Sequence, residues 1–221
     1  MAKNEAKPPR LSSAASQGTI IIRVGLQEQD YVLHKAFLSH YSGYFQGALS
    51  GRFSETLDGV VVLKEINPEV FSFFADWIYT PQIPDTPAGW GSMTRSGTEH
   101  DGKILRYRAY FLADRLIVPK LKSAIFNQLY DRFADQSSPL ALGVIEAFES
   151  LPEQDPLLKL LVDALCWSNA NNERGDDPVW YDKLKQLPPQ FLAKVTIKLF
   201  RLWDVESTGR LKRSDYEIEE S

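Results

Sequence analysis

Cysteine is almost missing from this 221-residue chain. Cys166 stands alone, so no intramolecular disulfide can form, and a reducing compartment is the expected setting. Long apolar runs are missing as well: no stretch approaches the roughly 20 residues needed to span a bilayer. Residues 1–18 lack the apolar centre of a signal peptide, and Glu5 with Pro8-Pro9 speaks against a mitochondrial presequence despite Lys3, Lys7 and Arg10. A cytoplasmic or nuclear location is expected. Charge of one sign is not concentrated either. Lys and Arg number 25 against 29 Asp and Glu, a net charge of -4, and the basic residues are scattered, which argues against an electrostatic nucleic-acid surface. Histidine is scarce too. His34 and His40 lie six apart and cannot share an ion as an i, i+4 pair does, so no metal site is expected. Ser39 and His40 are neighbours whose side chains diverge on a helix, and a nucleophile must meet its base within about 3 Å. No nucleophile elbow, phosphate loop, dinucleotide fingerprint or H-E-x-x-H run occurs. Enzyme chemistry and cofactors are not expected.

What is present is a chain with 43% hydrophobic residues, enough for a sizeable core. Thr19–Val24 (T-I-I-I-R-V) reads as a strand, Gly25–Asp30 as a polar turn, and the following residues as a strand ending at His34. From there the period changes from two to about 3.6. Phe37, Leu38, Tyr41, Phe45 and Leu49 form one helical stripe, with Gly47 and Gly51 loosening its end. Val60–Leu63 is a short buried strand. Asn67-Pro68-Glu69 is a helix start, because Asn caps free amides, Pro suits the first helical position and Glu complements the positive helix end. That helix carries Val70, Phe71, Phe74, Trp77 and Ile78 on one face and closes at Thr80, before Pro81. Residues 81–103, rich in Pro and Gly, read as a flexible surface insertion without a core face. Helical pattern resumes over 104–116. Pro119 opens another helix, with Leu121, Ile125, Leu129 and Phe133 inward.

Three more helices are expected in 137–203. The first starts at Ser138-Pro139 and buries Leu142, Ile145 and Phe148. The second, from Leu157 to Trp167, buries Leu158, Leu161, Leu165 and Cys166. The third opens at Pro188-Pro189 and carries Phe191, Leu192, Val195, Leu199 and Leu202. Residues 1–18 are expected to be a disordered leader and 204–221 an acidic tail.

The run H-K-A-F-L-S-H-Y-S-G-Y-F resembles the H-K/R-x-x-L-x-x-x-S-x-x-F signature of BTB/POZ domains, through His34, Lys35, Leu38, Ser42 and Phe45. The L-A-D-R-L-I-V-P-K-L-K stretch resembles a second family motif, through Leu112, Ala113, Asp114, Leu116, Leu121 and Lys122. The resemblance covers residues 19–134. It implies an α+β fold, a small β-sheet flanked by helices, here followed by an all-α extension over 137–203 similar to that of fungal BTB proteins.

The same resemblance implies protein partners. Phe53-Ser54-Glu55 is similar to the hydrophobic-x-Glu motif with which BTB domains engage cullin-3-type ubiquitin-ligase scaffolds. Phe53 would be the apolar anchor and Glu55 its polar complement. One reading is therefore an adaptor that docks on such a scaffold and recruits a client. The other is an oligomerisation scaffold with no ligase connection. For self-association the family pairs a basic residue after the motif His with an acid on the first strand. Lys35 stands at the first position, but Thr19 takes the place of the acid. Asp204–Asp215 resembles a calcium loop at Asp204, Glu206, Thr208, Gly209 and Leu211. It departs at its last position, where Asp215 replaces the longer Glu that chelates with both oxygens.

Overall fold

The computed structural model describes residues 7–50, 59–135, 137–171, 182, 184–203 and 213–216. Its sheet has three strands in the order β2-β1-β3, with β1 (Thr19–Val24) in the centre. β2 (Gln29–His34) pairs antiparallel with β1, Thr19 opposite His34, and β3 (Val60–Leu63) pairs parallel with it, Ile21 opposite Val60. Alternation decides the faces: Ile20, Ile22 and Val24 enter the core while Thr19, Ile21 and Arg23 face outward. The turn between β1 and β2 needs Gly25, at φ +75°, because a Cβ there would meet Pro68 Cγ at 2.8 Å.

Against this sheet pack α2 (Lys35–Tyr41), α3 (Gly43–Ala48) and α4 (Pro68–Trp77). Asn67 Oδ1 accepts from the Glu69 amide at 2.8 Å, and α4 buries Val70, Phe71, Phe73, Phe74 and Trp77. The apolar stripe from Phe37 to Leu49 does not form one helix. Ser42 is extended (φ -123°, ψ 118°) and divides it.

Residues 81–103 are not a surface insertion without a core face. They contain α5 (Pro87–Ser92), whose Trp90 is fully buried, and the start of α6 (Glu99–Arg115), capped by the Thr98 hydroxyl. Two of the glycines that read as loop signals, Gly91 and Gly102, are packing devices. A Cβ on Gly102 of α6 would lie 2.4 Å from the Gly91 nitrogen of α5, so the two backbones touch there. The leader also needs correcting. Leu11–Ser16 forms a helix, α1, because Ala14 buries itself against α2.

α7 (Pro119–Ala134) runs beside α6 and buries Leu121, Ile125, Leu129 and Phe133. The next helix, α8 (Ala141–Ser150), starts three residues after Ser138 and is rotated from the expected face. Gly143, Val144 and Ala147 are buried, Ile145 and Phe148 are half-buried, and Leu142 is exposed. The cause is Gly143, which rests on the Tyr107 ring where a Cβ would come within 2.7 Å.

α9 (Pro156–Asn171) is surrounded: Leu157, Leu158, Leu160, Leu161, Ala164 and Leu165 are all buried. α10 (Pro189–Trp203) covers it through Phe191 and Val195, while Leu199 is exposed. Of the four described residues of the tail, one is buried. Arg213–Asp215 form a 3-10 turn, and Tyr216 is buried with its hydroxyl 2.5 Å from Asp163 Oδ2. One buried apolar cluster extends from Ala14 to Tyr216, so the C-terminal helices share a core with the sheet.

A polar knot lies inside that core. Asp155 accepts from the Tyr110 hydroxyl at 2.8 Å, from the Leu157 amide at 2.9 Å and from Lys122 Nζ at 2.6 Å, and Lys122 also reaches Asp114 at 2.6 Å. It ties α6, α7 and the start of α9 together. Burial, reinforced by the Asp155 charge, pushes the Tyr110 phenol far above its ordinary value and keeps it a donor.

Candidate protein-docking surface

The break at Ser42 builds the most specific surface feature of the sheet-bearing half. Ser42 is buried, and its hydroxyl donates to the Leu116 carbonyl at 2.6 Å while accepting from the Phe45 amide at 3.1 Å. The Gly43 amide donates to the Ile117 carbonyl at 2.8 Å and the Tyr44 amide to the Leu116 carbonyl at 3.2 Å. The first turn of α3 is thus plugged into the carbonyls at the end of α6.

Ile117 is held at φ +53°, an outlier for a β-branched residue. Two backbone bonds impose it: Ile117 donates to Asp114 and Val118 to Ala113. The conformation turns the Ile117 side chain outward, 57% exposed, directly over Gly43, where a Cβ would lie 2.9 Å from Ile117 Cγ2. Tyr44 is exposed next to it. Two apolar side chains therefore stand on a rigid junction, and in sequence Leu49-Ser50 and then residues 51–58 follow α3. Phe53 and Glu55 belong to that segment and lie outside the described residues.

The signature residues divide by role. Leu38 and Phe45 are fully buried core. Ser42 makes the break between α2 and α3. The His34 amide donates to the Tyr79 hydroxyl at 3.1 Å, and that hydroxyl lies 2.9 Å from His34 Nδ1, which fixes the ring at the junction of β2 and α2. The Lys35 amide donates to the Gly18 carbonyl at 3.2 Å. Its side chain is half-buried and forms no ion pair among the described residues, and Thr19 is exposed. Of the calcium-loop resemblance, residues 204–212 lie outside the described residues. The Asp215 carbonyl accepts from Lys159 Nζ at 3.1 Å.

Tyr44 and Ile117 escaped the sequence reading. Tyr44 reads as part of a helix, and nothing local signals a left-handed isoleucine before Val118-Pro119. A groove of about 490 Å³ also opens between α4, α6 and α8, but its Arg108 and Arg115 are already paired with Glu146 and Glu65.

Ser42→Ala tests the junction. It strands the Phe45 amide and removes one of the two donors to Leu116. It is expected to cost about 1–3 kcal/mol, read as a lower urea midpoint with an unchanged slope.

The BTB/POZ domain family matches residues 11–129 of the chain. The chain is also similar to Kelch-like protein 30 of Mus musculus, 28% identical over 163 residues. That alignment covers 71% of this chain and 27% of the relative, so the chain spans about a quarter of that protein's length.

Proposed function

Because the chain belongs to the BTB/POZ family and is a protein-interaction module, we propose that it is an adaptor whose sheet-bearing half docks on a cullin-3-type ubiquitin-ligase scaffold. The observation that carries this reading is the rigid α3–α6 junction. It presents Tyr44 and Ile117 on the surface, and in sequence Phe53-Ser54-Glu55 follows α3. In this reading Phe53 enters an apolar groove between scaffold helices, Tyr44 and Ile117 extend the dry contact, and Glu55 supplies polar complementarity at its margin. Client recruitment falls to the C-terminal helices, where α10 leaves Ile197 and Phe200 exposed. The compartment would be cytosol or nucleus.

A specific observation favours self-association as the second reading. α1 leaves Leu11 exposed, and the outer sheet face carries Val32 and Val62. Such a scaffold would pair through apolar contact rather than through Lys35 and an acid.

The test is a calorimetric titration of the chain with a cullin-3 N-terminal domain, with molar mass followed by light scattering. Wild type is expected to bind below about 1 μM. Phe53→Ala and Glu55→Lys are each expected to weaken binding by about 30-fold or more, as for an anchor worth about 2 kcal/mol, with unchanged circular dichroism. Failure of folded wild type to bind ends the adaptor reading, and a dimer or larger mass in the same sample favours the scaffold.

A further inference from the structure

Arg106 on α6 is 4% exposed, its Nε has no hydrogen-bond partner, and no carboxylate pairs with it among the described residues. The other buried charges among the described residues are answered. Asp163 has Lys198 and Lys159, and Asp155 has Lys122. Arg106 instead has more cations near it. Lys103 lies one turn earlier on the same face of α6, and Arg132 approaches from α7. Neither forms an ion pair among the described residues.

All three line one cavity of about 130 Å³, closed by Tyr107, Leu129 and the 138–140 connection, with no Asp or Glu in its wall. Burial, and secondarily the Arg132 charge, lowers the Arg106 guanidinium to about 10. The Trp90 face, 5.4 Å from the guanidinium, compensates in part, but a ring quadrupole does not neutralise a cation. Three converging cations with an unused buried donor and no counter-charge are the arrangement that an oxyanion completes.

We propose that this cavity is a binding site for a small oxyanion, a phosphate or phosphate monoester. Arg106 and Arg132 clasp its oxygens through their planar donor sets, and Lys103 contributes a point charge. The site lies in the seam between the sheet-bearing half and the C-terminal helices, since its wall joins α6 and α7 to the connection leading into α8. Occupancy would therefore tighten that seam.

The experiment uses the full chain titrated with inorganic phosphate at constant ionic strength, by calorimetry and by phosphate-dependent rise in Tm. Saturable one-to-one binding below about 1 mM is expected. Arg132→Ala and Lys103→Ala should each weaken it by about tenfold. Arg106→Met keeps the apolar stem. It should leave Tm without phosphate unchanged or higher while abolishing the phosphate-dependent rise, which loss of a merely structural arginine would not do. O-phosphoserine and glycerol 2-phosphate, as competitors, distinguish a protein-borne phosphate from a metabolite, and displacement by either supports the site. Folded wild type without saturable binding overturns the proposal, as does binding undiminished in both Arg106→Met and Arg132→Ala.

Discussion

Trp90→Ala is expected to destabilise the protein by about 3–5 kcal/mol, the range for truncating a fully buried large aromatic. Against a total stability of about 5–15 kcal/mol this is a large fraction. Trp90 is fully buried, its ring lies 5.0 Å from that of Phe73, and its Nε1 donates to Gln128 Oε1 at 2.8 Å. Gln128 in turn donates to the Pro84 carbonyl at 2.6 Å, so one amide fastens both the tryptophan and the approach to α5. Truncation opens a cavity, frees the Gln128 acceptor and removes the ring that faces Arg106. Trp90→Phe keeps most of the apolar volume and loses the donor. Its expected cost is about 1–3 kcal/mol, for the half-buried Gln128 acceptor left without its donor. Urea unfolding followed by circular dichroism reads both. If residues 81–103 were a loop without a core face, Trp90→Ala would cost no more than about 0.5 kcal/mol, and that result would refute the packing described here.

The same tryptophan marks where sequence reasoning stops. Local chemistry is legible. The β-branched runs at Thr19–Val24 and Val60–Leu63 are strands, and Asn67-Pro68-Glu69 starts a helix where it should. The features that were missed are decided by partners far along the chain. The stripe through Tyr41 and Phe45 is continuous in sequence, but Ser42 reaches Leu116, 74 residues away, and that bond selects a break. Gly91 and Gly102 look like flexibility because the residue opposite each is invisible in a one-dimensional reading. The phase of α8 is set by the Tyr107 ring beneath Gly143 rather than by its own Leu142, Ile145 and Phe148. The proposed docking surface divides in the same way. Phe53 and Glu55 are found through family resemblance, whereas Ile117 depends on a backbone conformation that its side chain disfavours. Lys and Arg are scattered along the sequence, and it takes the pairing of α6 with α7 to gather Lys103, Arg106 and Arg132 around one cavity.

Asp155→Ala is the substitution that tests whether the two halves are one cooperative body. The carboxylate is buried and holds three donors from three elements: Tyr110 of α6, Lys122 of α7 and the Leu157 amide in the first turn of α9. Its removal leaves the buried Tyr110 hydroxyl without that acceptor. Lys122 is left with Asp114 alone, and α9 loses a cap for the amide after its opening proline. Breaking a buried pair from one side costs about 3–5 kcal/mol, because the remaining charge stays desolvated. Asp155→Asn retains an acceptor for Tyr110 and Leu157 but not the charge facing Lys122. It is expected to lose about 1.5–3 kcal/mol, the worth of a hydrogen bond to a charged group. Urea unfolding read by tryptophan fluorescence and by circular dichroism separates two outcomes. The continuous core from Ala14 to Tyr216 predicts one transition, shifted to lower urea and coincident in both probes. A second, early transition confined to the C-terminal helices would mean that the Asp155 knot, rather than the apolar contacts of α9, is what joins them to the sheet.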